Sequence, residues 1–181
     1  MQPTVRTTID ADHVVTIWLD QPEKSVNTIT PQTVSELSQA LSELERGEPP
    51  AGVIFASDKP DVFIAGADLY AIAKMDRQEQ VSFIASGQDV LDRIAKLPFP
   101  TVAAINGNCL GGGYELALAC RYRVAAESGS ISIGLPESKL GILPAWGGTT
   151  RLPRLIGLPA ALPMLLAGKT LPPHKARKAG M

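Results

Sequence analysis

Residues 98–126 read "PFPTVAAINGNCLGGGYELALACRYRVAA". The segment opens as an apolar, β-branched strand and runs into a loop that ends in three glycines. It continues in good helix formers from Gly113 to Cys120 and closes in a second strand around residues 122–126. A strand–helix–strand succession of this kind is the unit of an α/β domain. Consecutive glycines are costly in conformational entropy, so they mark an unusual dihedral or a close backbone approach. Glu115 then lies in the first turn of the helix among apolar neighbours. The helix macrodipole favours a carboxylate there, so capping alone accounts for Glu115 as well as a functional role does.

The same alternation extends in both directions. "HVVTIWLD" (13–20) reads as a strand, and Thr30 followed by Pro31 starts a helix with Val34, Leu37, Leu41 and Leu44 on one face. "AGVIFAS" (51–57) suits a buried strand, and residues 61–75 begin strand-like, break at Gly66 and continue as a helix. A longer helix is expected over 78–97 with Val81, Ile84, Leu91 and Ile94 facing inward. Beyond 126 come a short apolar stretch at Ser130–Ile133, a loop-rich region with short helical turns and one apolar helix. The final "PPHKARKAGM" reads as the start of another helix, so the chain is expected to continue past Met181 in a longer protein.

The chain has 181 residues, 45% hydrophobic and 19% charged, with a formal net charge of −1. That suffices for one domain over residues 1–181 with a real core. The charge balance argues against nucleic acid as a partner, and no apolar stretch approaches the length of a membrane span. The N-terminus has no export pattern, which makes a cytoplasmic location the default and leaves an organelle open if the start is trimmed. Cys109 and Cys120, the only cysteines, lack metal-ligand neighbours and read as free buried thiols. No metal site is expected.

Three carboxylates stand in apolar or glycine-rich surroundings where a strand or loop gives way to a helix or turn: Asp68, Glu115 and Glu137. Such junctions are where α/β sheets bind ligands. Capping covers Asp68 and Glu115 singly, but a carboxylate after Leu-Pro, as at Glu137, is not an obvious cap. Two carboxylates in one pocket suit proton transfer. The glycine turns "IAGAD" and "LGGGY" could each donate a backbone N–H to an anion, which together would make an oxyanion hole. Phosphate-loop, dinucleotide and serine-hydrolase readings fail, because neither glycine spacing is met and no nucleophile elbow occurs.

With these residues in view, the sequence resembles the enoyl-CoA hydratase/isomerase (crotonase) superfamily. The resemblance is carried by "FIAGADLYAI" (63–72), "AAINGNCLGGGYELALACRYRVAA" (103–126) and "IGLPESKLGILPAWGGTTRLPRLIG" (133–157), in the family's order. It implies a ClpP/crotonase-like spiral of β-β-α units and an acyl-CoA thioester substrate. It implies an oxyanion hole from the N–H groups of Ala67 and Gly112. Ala67, Asp68, Leu69 and Tyr70 would line the acyl-CoA site, with Ala65 and Ala67 meeting its adenine end. Glu115 and Glu137 would be the two glutamates of a hydratase, adding water across a 2-enoyl double bond; the superfamily's isomerases often keep only the latter. The alternatives are a Δ3-Δ2-enoyl-CoA isomerase and an acyl-CoA-binding chain without turnover.

The motifs look most like the N-terminal hydratase portion of multifunctional fatty-acid oxidation proteins. Coenzyme A would be part of the substrate, no NAD site is expected in this chain, and a homo-oligomer is implied. The family's C-terminal helices would lie beyond Met181, and the apolar surface they cover is expected to promote self-association. Two departures stand out. The connection through "AAESGSIS" (125–132) is about two residues longer than in short mitochondrial-type hydratases. "LPAWGG" (143–148) replaces a commoner Pro-Gly-Ala-Gly-Gly, so Trp146 is expected to narrow or reshape the acyl pocket.

Overall fold

In strand β2 (Val14–Leu19), Val15, Ile17 and Leu19 are buried and the residues between them half-buried, the alternation of a strand with one face on a core. A computed structural model describes residues 2–181. β2 pairs antiparallel with β1 (Val5–Ile9), a strand the sequence reading did not assign. Its residues are half-buried or exposed, so apolar patterning gives it away poorly; the β-branched run "VRTTI" is the signal that was present.

From β2 onward the chain repeats one path. Strands β3 (Gly52–Ser57), β5 (Thr101–Ile105) and β7 (Tyr122–Ala125) extend the first sheet in the order β1-β2-β3-β5-β7, parallel from β2 on. Strands β4 (Val62–Ile64), β6 (Asn108–Leu110) and β8 (Ile133–Gly134) follow them in turn and build a second parallel run, closed by antiparallel β9 (Thr170–Leu171). From β3 on, each circuit places one strand in each sheet before a helix returns the chain. This is the spiral of β-β-α units implied by the sequence resemblance.

The helices begin where local chemistry starts them. α1 (Pro31–Arg46) is capped by Thr30, whose Oγ1 accepts from the Thr33 N–H at 3.2 Å, and it buries Val34, Leu37 and Leu41. α3 (Arg77–Lys96) opens on a capping box, with Asp76 and Glu79 each accepting the other's backbone N–H at 2.8 Å. Its inward face differs from the expectation. Leu91 and Ile94 are buried, but Val81 is 61% and Ile84 38% exposed, and the contact face runs Phe83, Gly87, Val90, Leu91, Ile94. Gly87 sits in that face because an indole fills the space a side chain would take, and a residue without a side chain leaves no apolar mark in the sequence.

The remaining helices are α2 (Leu69–Lys74), α4 (Gly112–Ala119), α5 (Gly148–Ile156), α6 (Leu158–Ala167) and α7 (Pro173–Lys178). α4 is buried along its whole length, between β4, β6 and the flanking helices. Cys109 and Cys120 are free and buried, as read from the sequence. Among the described residues no helix is long and apolar enough to cross a membrane.

One buried side chain ties the loop after β2 to the ends of β2 and β3. Asn27, 2% exposed, donates to the Leu19 carbonyl at 2.8 Å and the Ser57 hydroxyl at 2.9 Å, and accepts from the Gln21 N–H at 3.0 Å. Replacing it with alanine strands these partners in the interior, and Asn27→Ala is expected to cost about 3 kcal/mol. Urea unfolding reads this directly; a loss within about 0.5 kcal/mol would contradict the role.

Candidate active site

The three consecutive glycines of the opening stretch each meet a different constraint. Gly111 adopts φ 54°, ψ −128°, a conformation closed to side chains, and so turns β6 abruptly into α4. A Cβ on Gly112 would lie 2.6 Å from Trp146 Cζ3, and one on Gly113 would lie 2.6 Å from Ile64 Cβ. Only a bare backbone lets the first turn of α4 press against both neighbours. Gly112, as the first helical residue, has an N–H with no partner inside the helix.

A second donor with no partner among the described residues arises at Ala67. The Ile29 N–H bonds the Gly66 carbonyl at 2.8 Å, and the Asp68 N–H bonds the Ile29 carbonyl at 3.0 Å. In this parallel bridge the flanking residues satisfy Ile29, so the N–H of Ala67 itself faces away from it. Ala67 and Gly112 both line a cavity of about 310 Å³, together with Ala65, Leu69, Glu115 and Glu137. The rest of the wall is mostly apolar, including Ile72, Phe83, Ile84, Leu143 and Trp146.

Six of the eight residues singled out from the sequence thus converge on one cavity. The other two stand outside its wall. Asp68 caps α2, accepting from the Ala71 N–H at 3.0 Å, and pairs with Lys24 Nζ at 2.7 Å. The Lys24 hydrogen bond, with the cap behind it, holds the Asp68 carboxyl below its ordinary range. Tyr70 is 86% exposed. The lengthened connection before β8 contributes no residue to the cavity wall.

The two glutamates differ in how they are held. Glu115 is 2% exposed, and its Oε1 accepts two backbone hydrogen bonds at 2.8 Å, from Trp146 and Gly148. A Cβ on Gly148 would crowd Leu135 Cδ1 at 2.8 Å and the same oxygen at 3.1 Å. Burial pushes the Glu115 carboxyl up to about 7, helped by the nearby charge of Glu137 and opposed by the two N–H groups. Glu137 begins the 3₁₀ turn Glu137–Leu140 and is 7% exposed. Its buried Oε2 has no hydrogen-bond partner among the described residues, and burial raises its carboxyl too. The bare Gly111 makes room for the other oxygen, which lies 3.0 Å from where a Cβ would stand.

The backbone donors that hold Glu115 were not identified from the sequence, because a main-chain N–H carries no residue signature; the doublet Gly147–Gly148 was the available sign. Phe83, Ile72 and Leu143 were likewise not singled out as cavity walls. Trp146 was, and it does line the cavity, packed edge-to-face on Phe83 with ring centres 5.2 Å apart. Chemically, the site presents backbone N–H groups of Ala67 and Gly112 with no partner among the described residues, and two carboxyls whose proton affinity burial raises, in an apolar enclosure.

A model of the family described as enoyl-CoA hydratase/isomerase matches residues 10–181. The chain is 45% identical over 176 residues to the fatty acid oxidation complex subunit alpha of Aliivibrio fischeri, covering 96% of this chain and 26% of that protein. The protein of the same name from Idiomarina loihiensis is 45% identical over 171 residues, covering 94% and 24% respectively. The chain therefore spans about a quarter of the length of these curated relatives. Among solved structures, an enoyl-CoA hydratase from Bacillus anthracis superposes with a TM-score of 0.91 at 36% identity, covering 98% of this chain and 67% of that one. A human mitochondrial delta3-delta2-enoyl-CoA isomerase does so with a TM-score of 0.91 at 32% identity, covering 98% and 68%.

Proposed function

The chain belongs to the enoyl-CoA hydratase/isomerase family, and from that membership we propose that it hydrates 2-enoyl-CoA to 3-hydroxyacyl-CoA in fatty-acid β-oxidation. It would do so as one hydratase domain, residues 1–181, of a longer multifunctional protein. The observation that carries the choice is the pair Glu115 and Glu137, both buried, on one apolar cavity whose wall also includes Ala67 and Gly112.

The reaction follows from that arrangement. The thioester oxygen accepts from the Ala67 and Gly112 N–H groups, which draws electron density away from the conjugated double bond. Glu115, ionised and fixed through Oε1, has its second oxygen to orient a water and take its proton as the hydroxyl adds to the β-carbon. Glu137, whose proton affinity burial raises, delivers a proton to the α-carbon as the enolate collapses. Net addition of one water is complete when the proton gained by Glu115 is returned to Glu137 through solvent. No cofactor enters these steps; coenzyme A serves as the handle of the substrate. Exposed leucines on and beside α6, Leu158 and Leu166 among them, would support the homo-oligomer.

The isomerase reading is tested by supplying crotonyl-CoA and a 3-enoyl thioester side by side. Hydration is expected to be the faster reaction. Glu115→Gln is expected to reduce hydration more than isomerisation, because only hydration must activate water. Conversion of the 3-enoyl substrate without hydration would identify an isomerase, and saturable binding with neither reaction would reject turnover altogether.

A further inference from the structure

Trp146 separates two cavities. On one side lies the reaction cavity; on the other is a polar cavity of about 410 Å³ bordered by Gln88, Asp92, Thr149 and Arg151. Ala145 and Trp146 are the residues common to both walls. The indole, 5% exposed, fills the gap between α3 and α4 because glycine stands on each side of it. A Cβ on Gly87 would lie 2.4 Å from its Nε1, and one on Gly112 would lie 2.6 Å from its Cζ3.

The backbone and the side chain of this residue do separate work. The Trp146 N–H holds Glu115, while its carbonyl accepts from Arg151 Nη1 at 2.7 Å and the Ala145 carbonyl accepts from Gln88 Nε2 at 2.7 Å. The indole N–H has no hydrogen-bond partner among the described residues, so packing alone retains the ring. Shortening the side chain therefore removes the wall and leaves in place the backbone that positions the carboxylate.

Resting on the acyl-CoA reading above, we infer that the Trp146 indole is the stop that limits acyl chain length: it walls the apolar cavity beside Gly112 and shuts off the space behind it. With the ring present, methylenes beyond a short acyl group find no room between Gly112 and Phe83. With the ring removed, the two cavities join and a longer chain gains buried apolar contact in the place of the indole.

The test compares Trp146→Phe and Trp146→Ala with the unsubstituted chain, using crotonyl-CoA and 2-decenoyl-CoA. The ratio of kcat/KM for the longer substrate to that for the shorter is expected to rise in the order Trp, Phe, Ala, reaching about tenfold or more for alanine. A merely structural role would lower both rates together and leave the ratio unchanged, which would overturn the inference. Equilibrium binding of butyryl-CoA and decanoyl-CoA to the same three proteins reads the partition without turnover. A binding ratio that shifts while the unsubstituted chain fails to hydrate would reject the hydratase reading and keep this one. Normal hydration with both ratios flat, including in the phenylalanine variant that keeps a ring against Phe83, would reject this one alone. Absence of both binding and turnover in the unsubstituted chain would reject both.

Discussion

At pH 8 the Glu115→Gln protein is expected to be more stable than the unsubstituted chain by about 3 kcal/mol, and the advantage is expected to disappear below about pH 4.5. Glu115 has a folded pKa of about 7 against an ordinary 4.5, chiefly because burial penalises its charge. The native state therefore holds this proton more tightly than the unfolded chain does. The stability it contributes is fully present below about 4.5 and is lost as the pH rises through about 7. Above that, folding keeps a charge 2% exposed that the unfolded chain would hydrate. Glutamine keeps an oxygen for the Trp146 and Gly148 N–H groups and carries no charge. Urea unfolding of both proteins at pH 4 and pH 8 measures the difference. An equal difference at the two values would mean that the Glu115 carboxyl is not raised. A gain in stability with a loss of hydration is the behaviour of a group retained for reaction at the expense of folding.

The second large effect concerns the other carboxyl. Glu137→Gln is expected to lower kcat for hydration by about a thousandfold, the usual scale for removing a general acid, with acyl-CoA affinity changed by no more than a few fold. Glutamine has nearly the same shape and sits on the same 3₁₀ turn, so binding contacts along the cavity persist. What it cannot do is give up a proton to the α-carbon. Because both hydration and isomerisation need that transfer, both should fall. A variant that lost affinity instead of kcat would place Glu137 in substrate binding and remove it from the proton pathway.

Much of this architecture could be read from residue patterns, for physical reasons that differ by element. Thr30 and Pro31 announce α1 because capping chemistry is local. Glu115 and Glu137 draw attention because a carboxylate among apolar residues requires an explanation. The triple glycine marks a close approach, though which neighbour does the approaching, Trp146 or Ile64, is a long-range fact no local pattern contains. Val81 and Ile84 were read as inward by their spacing alone. The actual face of α3 includes Gly87, set by an indole from a loop some sixty residues further on. Ala67 shows the same limit: its free N–H depends on Ile29 bonding the residues to either side of it. Sequence makes a side chain conspicuous when its chemistry is out of place. Where the backbone does the work it speaks only through glycines.

The central claim is that Glu137 and Glu115 act together on a thioester held by Ala67 and Gly112. Its most direct test is the fall in enoyl-thioester absorbance when crotonyl-CoA is mixed with the unsubstituted chain and with Glu137→Gln in parallel. The predicted result is steady hydration by the unsubstituted chain and a rate about a thousandfold lower in the variant. Equal rates in the two proteins would contradict the account, as would saturable acyl-CoA binding by the unsubstituted chain with no loss of absorbance.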